Sequence, residues 1–157
     1  MEHKAYIALG SNTEPRAPTL IEALKLLDGR EDITVGRVSQ FLTTAPVGPP
    51  GQPEYLNAAA ELATSLSPAD LLAVLHEIEA QLGRDRPNEQ RWGQRTCDLD
   101  LLLFDDVVCE DESLTIPHPR MHERLFVLRP LAEIASKVAH PALGKTVIEL
   151  LAAAEGG

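Results

Sequence analysis

The order in which two hydrophobic periods follow one another, as far as Phe104, leaves this chain few architectures. Lys4–Leu9 reads as a short strand closed by a Gly10-Ser11-Asn12 turn. Thr19–Leu27 then sets Leu20, Ile21, Leu24 and Leu27 at the spacing of one helix face. Ile33–Phe41 alternates imperfectly and reads as a second strand, whereas Leu42–Pro53, with four prolines and two glycines, reads as a loop. Tyr55–Leu66 is the third strand. Ser67-Pro68 opens a helix, with Ser as N-cap, Pro in the first turn and Asp70 at the capping-box position. Leu71, Leu72, Leu75, Ile78 and Leu82 share one side of it, and Gly83 ends it. After the Arg-rich loop Gly83–Arg95, Thr96–Phe104 is the fourth strand. Strand–helix–strand–strand–helix–strand is the ferredoxin-like α+β pattern, an antiparallel sheet covered by helices on one face. Beyond it, Asp105-Asp106 is a turn into a short Val107-Val108 strand, and Ile116-Pro117-His118-Pro119 is stiff and non-helical. Glu123–Ser136 and Val147–Ala154 are helices.

At 157 residues the expectation is one domain over 1–157 with a substantial core. There is no run of 18 apolar residues to cross a membrane, and the N-terminus enters a strand pattern with no signal-peptide h-region. Cys97 and Cys109 have no metal-like spacing and fit the reduced thiols of a cytoplasmic protein. The net charge of −10 argues against nucleic acid or an anionic membrane as partner. Yet Arg84, Arg86, Arg91 and Arg95 fall within twelve residues, and Arg120, Arg124 and Arg129 form a looser group. Concentrated Arg in an acidic chain suits a small anionic ligand held by bidentate contacts.

The fourth strand carries two carboxylates inside its apolar run. Residues i and i+2 of a strand share a face, so Asp98 and Asp100 project together, roughly 7 Å apart at Cα, with Leu99, Leu101 and Leu103 turned to the core. Such a pair is either a solvated sheet face or a set of oxygen ligands whose mutual repulsion a divalent cation relieves. Mg²⁺ suits it, because it keeps waters and shares its shell with substrate phosphate. Carboxylates, Arg and phosphate are the parts of phosphoryl transfer. No Walker A loop or kinase-type glycine loop is present.

Five blocks in order resemble the 6-hydroxymethyl-7,8-dihydropterin pyrophosphokinase family. They are Ala5-Tyr6-Ile7-Ala8-Leu9-Gly10-Ser11-Asn12; Tyr55-Leu56-Asn57-Ala58; Glu79 with Gly83-Arg84-Asp85-Arg86; Arg91-Trp92-Gly93-Gln94-Arg95-Thr96-Cys97-Asp98-Leu99-Asp100; and Pro117-His118-Pro119-Arg120-Met121 with Arg124 and Phe126. The resemblance implies transfer of pyrophosphate from ATP to the hydroxymethyl group of a reduced pterin, by attack on the β-phosphorus and with release of AMP, in folate synthesis. It implies that Asp98 and Asp100 hold two Mg²⁺ ions and that Arg84 and Arg95 are catalytic. Tyr55 and Phe126 match the aromatics that sandwich the pterin, Asn57 its recognition amide, and Thr44, Ala45 and Val47 the segment lining its pocket. Trp92 matches a residue of the loop that closes over pterin and nucleotide. His76, Glu79, Arg86, Arg95, Leu101, Thr115, His118 and Arg124 fall on the nucleotide side, and the family implies an active monomer.

Departures from the pattern are His76 in place of an amide residue, Pro87, Ser113 and Pro119 where some relatives carry basic or aromatic residues, and Cys97 at a usually aliphatic position. Two other classes compete with the enzyme. A silent nucleotide- or pterin-binding module would be expected to have lost an Asp or Arg first. A metal-dependent nucleotidyl transferase with a nucleic-acid acceptor would need a basic groove, which a chain of this charge does not offer.

Overall fold

The computed structural model describes residues 2–45, 54–83 and 97–156. Its main sheet is built from β1 (His3–Ser11), β2 (Ile33–Val38), β3 (Leu42–Thr44), β4 (Tyr55–Thr64) and β5 (Asp98–Phe104). The order is β2-β4-β1-β5, with β3 also on β4, and these pairings are antiparallel. β2 and β3 act as one interrupted strand along the same edge of β4, which gives the ferredoxin-like order expected from the sequence.

The interruption explains the imperfect alternation of Ile33–Phe41. From Val38↔Ala60 to Leu42↔Asn57 the outer strand spends four residues against three on β4. Ser39 bridges the break: its N–H donates to Ala59 O, and its hydroxyl accepts from Ala59 N–H, both at 2.9 Å. Strand pairing then resumes, so Leu42–Thr44 belongs to the sheet and not to the proline loop. Gly10 and Ser11 likewise lie in β1, opposite Asn57 and Leu56, where a turn was expected.

α1 (Arg16–Asp28) and α2 (Pro68–Gln81) cover one face, burying Leu20, Ala23, Leu27, Leu71, Leu75 and Ile78 against Ala5, Ile7, Leu9, Leu99 and Leu101. α2 starts as its sequence predicts, the Ser67 hydroxyl accepting from Asp70 N–H at 3.2 Å. It ends at Gly83, whose φ of 98° favours glycine. The second face is covered too, contrary to the one-faced expectation. α3 (Leu125–Ala135) places Val127, Leu131, Ile134 and Ala135 against Tyr6, Ala59, Leu102 and Leu103, with Val147 of α4 (Val147–Gly156) in the same cluster. α3 is fastened to the β2–β3 break, Glu133 Oε1 accepting from Gln40 N–H at 3.0 Å and Arg37 donating to Ile134 O at 3.3 Å.

A bulge in β5 decides which face each of its residues serves. Tyr6 pairs with Leu103 but Ile7 with Leu101, so Leu102 is the extra residue. Leu99 and Leu101 stay under α1 and α2, whereas Leu103 crosses to the α3 side, correcting the expectation of three leucines on one face. The remaining strands are short pairs, β6 (Cys109–Glu110) with β7 (Thr115–Ile116) and β8 (Ala139–His140) with β9 (Lys145–Thr146). The expected Val107-Val108 strand lies instead at Cys109–Glu110. No helix among the described residues is long and apolar enough to cross a membrane.

Candidate active site

Sheet register brings the key side chains into rows. Gly10 pairs with Asn57 on one side and with Asp98 on the other. Two residues along, Ala8 pairs with Asp100 and, on the β4 side, with Ala59. Directly paired residues share a face, as do residues two apart on one strand. Tyr55, Asn57, Gly10, Asp98 and Asp100 therefore look onto the face that carries α3. Asn57 and Asp98 stand two strand spacings apart, about 10 Å, with only Gly10 between them. A Cβ on Gly10 would come within 3.1 Å of Asn57 Oδ1 and 3.7 Å of Tyr55 Cδ1. The glycine thus leaves a floor free of side chains between an amide and a carboxylate. A glycine inside a strand pattern is the signal of such close approach, and reading it as a turn residue missed it.

The amide is fixed. Asn57 is buried, and its Nδ2 donates to Thr44 Oγ1 on β3 at 2.6 Å. Ala45 follows β3 and is exposed. On the opposite wall Phe126, near the start of α3, is half-buried against the second core cluster. Arg124, the residue capping α3, lays its guanidinium 5.6 Å from the Phe126 ring centroid. Its carbonyl accepts from Val127 and Leu128 N–H at 3.0 and 2.9 Å, which anchors the turn carrying Phe126.

Beside Asp100 opens a cavity of about 220 Å³, lined by Leu72, Asp100, Leu101, Glu112, Ser113, Leu114, Thr115, His118 and Pro119. Four of these, Asp100, Leu101, Thr115 and His118, are nucleotide- or metal-side residues inferred from the sequence. Leu72 and Leu114 are apolar walls that the sequence hid, because a leucine on a helix or beside a strand reads first as core. His118 is held by its own N–H to Leu102 O at 2.9 Å, and its Nδ1 accepts from Arg120 N–H at 3.2 Å. That leaves Nε2 as the ring's N–H donor. Burial pushes its pKa below the ordinary histidine value; Asp100 acts in the opposite direction, and Arg124 and Arg120 add to the lowering. A neutral imidazole results at neutral pH, close to both the carboxylate and the Arg pair.

His76 is exposed on α2 and is not among the cavity's lining residues. Glu79 is 1 % exposed, and its Oε2 accepts from Leu99 N–H at 2.8 Å. Val47, Arg84, Arg86, Trp92 and Arg95 lie outside the described residues. Asp98 and Asp100 are both half-buried. No group of three His, Cys, Asp or Glu side chains that could hold a metal occurs among the described residues. Two carboxylates on one face, Asp100 lining the cavity and Asp98 two residues before it, fit a hard cation that takes its other oxygens from water and phosphate, as Mg²⁺ does.

A family model described as 7,8-dihydro-6-hydroxymethylpterin-pyrophosphokinase (HPPK) matches residues 6–136. The chain belongs to this family. Among similar HPPK-family proteins is the 2-amino-4-hydroxy-6-hydroxymethyldihydropteridine pyrophosphokinase of Bacillus subtilis, 51% identical over 138 residues, which are 88% of this chain and 81% of that protein. The enzyme of the same name from Haemophilus influenzae is 46% identical over 137 residues, covering 87% and 84%. The one from Pseudomonas aeruginosa is 40% identical over 153 residues, covering 98% and 93%. Among solved structures, an HPPK-DHPS in complex with substrates superposes with a TM-score of 0.74 at 12% identity, over 96% of this chain and 43% of that one. The Plasmodium falciparum HPPK-DHPS with pteroate gives 0.75 at 14% identity, over 96% and 42%. This chain spans less than half of those two, and at such identity they establish the HPPK fold alone.

Proposed function

We propose that this chain transfers the pyrophosphoryl group of ATP to the hydroxymethyl group of 6-hydroxymethyl-7,8-dihydropterin and releases AMP, in folate biosynthesis. The observation that carries the reading is the row Asn57–Gly10–Asp98: a pterin-sized floor with a hydrogen-bonding amide at one end and a carboxylate pair at the other.

The site divides the work. Asn57, pinned by Thr44, presents donor and acceptor to the mixed hydrogen-bonding edge of a flat heterocycle. Tyr55 and Phe126 offer aromatic faces to its ring. The Gly10 floor lets the ring lie against the sheet, which orients its substituent toward Asp98. The cavity beside Asp100 accepts the nucleotide: Leu72, Leu101 and Leu114 face the base, and His118 and Arg124 present N–H donors to phosphate or ribose oxygens. Asp98 and Asp100 would hold Mg²⁺, two ions in this reading, which when bound neutralises polyphosphate charge as it builds up. Arg84 and Arg95 contribute guanidinium forks to the same oxygens. Arg86 adds a nucleotide contact, and Trp92 serves to exclude water, the nucleophile competing with the pterin hydroxyl. The chain acts as one domain and as a cytoplasmic monomer.

Separate binding measurements test the division. Asn57→Ala should weaken pterin binding, read with a non-hydrolysable ATP analogue present, by about 5-fold for one lost hydrogen bond and about 30-fold for two, and leave analogue binding unchanged. Equal loss of both ligands would contradict the assignment of Asn57 to the pterin end.

A further inference from the structure

We infer that Glu79 is a positioning residue for the Asp98/Asp100 pair, acting through the backbone of Leu99; this rests on the metal role of that pair proposed above. Among the described residues β5 is an edge strand, bound to β1 on one side only. Leu99 lies between the two aspartates and pairs with Leu9. Its N–H donates to Glu79 Oε2, twenty residues away in sequence, at 2.8 Å. An edge N–H beside a functional pair would otherwise be met by water or left unmade.

The bond also explains a costly placement. Glu79 is 1 % exposed on the face of α2 that carries Leu71, Val74, Leu75 and Ile78. A carboxyl among those neighbours is tolerated only when hydrogen-bonded. A leucine there would serve packing alone. The carboxyl, held by a helix rigidly packed on the sheet, fixes the one peptide that sets the spacing and direction of Asp98 and Asp100. Loss of a supporting contact around metal ligands commonly weakens metal binding about 10- to 100-fold.

The role depends on reach, which separates it from a role of charge. Gln keeps both the length and an acceptor oxygen; Asp keeps the charge but is one methylene short; Leu keeps only the volume. The full chain is titrated with Mn²⁺ in the presence of α,β-methylene-ATP, with free Mn²⁺ followed by electron paramagnetic resonance. In parallel, exchange of the Leu99 amide proton is followed by NMR without metal. Glu79→Gln is expected to hold Mn²⁺ within about 3-fold of the parent and to keep Leu99 protected, whereas Glu79→Asp and Glu79→Leu weaken Mn²⁺ about 10- to 100-fold and expose the amide. If Glu79→Leu does not fold, the Gln and Asp variants carry the test alone.

Two results overturn the inference directly. One is parent-like Mn²⁺ affinity in Glu79→Asp despite a faster Leu99 amide, which would make the bond structural only. The other is the reverse order, Asp near the parent and Gln weakened, which would make charge the agent. Asp98→Ala and Asp100→Ala are run alongside. If neither changes Mn²⁺ affinity, the metal reading itself fails and this inference falls with it. Loss in those two with no loss in Glu79→Asp or Glu79→Leu refutes the positioning role alone.

Discussion

Replacing Gly10 by alanine should selectively damage the pterin end of the site. The new Cβ would stand 3.1 Å from Asn57 Oδ1, closer than an ordinary contact by a few tenths of an ångström. Asn57 cannot retreat along the sheet, because the bond to Thr44 Oγ1 on its far side is already 2.6 Å long. The amide must rotate off the floor and give up the Thr44 bond, the pterin bond or both. At about 1 kcal/mol net for each bond, pterin affinity should fall about 5-fold for one and about 30-fold for two. The fold should survive, since Gly10 does not have the positive φ that would strain an alanine, and alanine is favoured over glycine in a strand by about 0.5–1 kcal/mol. Calorimetric titration of 6-hydroxymethylpterin into the analogue-bound protein reads the first effect, and titration of the analogue alone serves as control. A double-mutant cycle sharpens the test: in a Thr44→Ala background Asn57 gains room to yield, so Gly10→Ala should cost markedly less. Unchanged pterin affinity in a folded Gly10→Ala variant would refute the reasoning, as would an equal loss of nucleotide affinity.

Three further outcomes follow from the same geometry. Ser67→Ala removes the acceptor of Asp70 N–H and should cost about 1 kcal/mol, seen as a fall of about 2–4 °C in Tm for a chain of this size, with substrate affinities intact. Leu75→Ala, fully buried between α2 and the sheet, should cost about 2–5 kcal/mol in urea unfolding, the range for large-to-small core changes. Burial lowers the pKa of His140 below the ordinary 6.5, and nearby His122 adds to the lowering. As pH drops below 6.5 the unfolded chain takes up a proton that folded His140 refuses, so stability should decline from pH 7.5 to pH 5.5. The decline should be smaller in His140→Asn, which keeps an acceptor for the Ala142 and Leu143 N–H groups; an equal or steeper decline in urea midpoints would reverse the sign.

Much of this was legible in the sequence because it depends on local rules. The Ser67 cap, the Gly83 stop and the shared face of Asp98 and Asp100 need only turn chemistry and the two-residue period of a strand. What stayed hidden depends on pairing between distant segments. The crossing of Leu103 to the other face comes from one extra residue in β5 relative to β1, which no periodicity within Asp98–Phe104 reveals. Leu42–Thr44 looked like loop because prolines follow it, yet β4 is long enough to pair with it after the Ser39 break. α3 covers the second face because Tyr6, Ala59, Leu102 and Leu103 form an apolar surface only once three strands stand side by side. Gly10 and Leu72 gained meaning only when the register and the cavity placed them beside Asn57 and Asp100.

The central claim is attack at the β-phosphorus supported by the Asp98/Asp100 pair, and the nucleotide product tests it most directly. The protein is mixed with ATP, Mg²⁺ and 6-hydroxymethyl-7,8-dihydropterin, and AMP is resolved from ADP by chromatography. The account predicts AMP formed one-for-one with a pyrophosphorylated pterin, and neither product from a folded Asp98→Ala variant. ADP as the product, or undiminished AMP from Asp98→Ala, would contradict it.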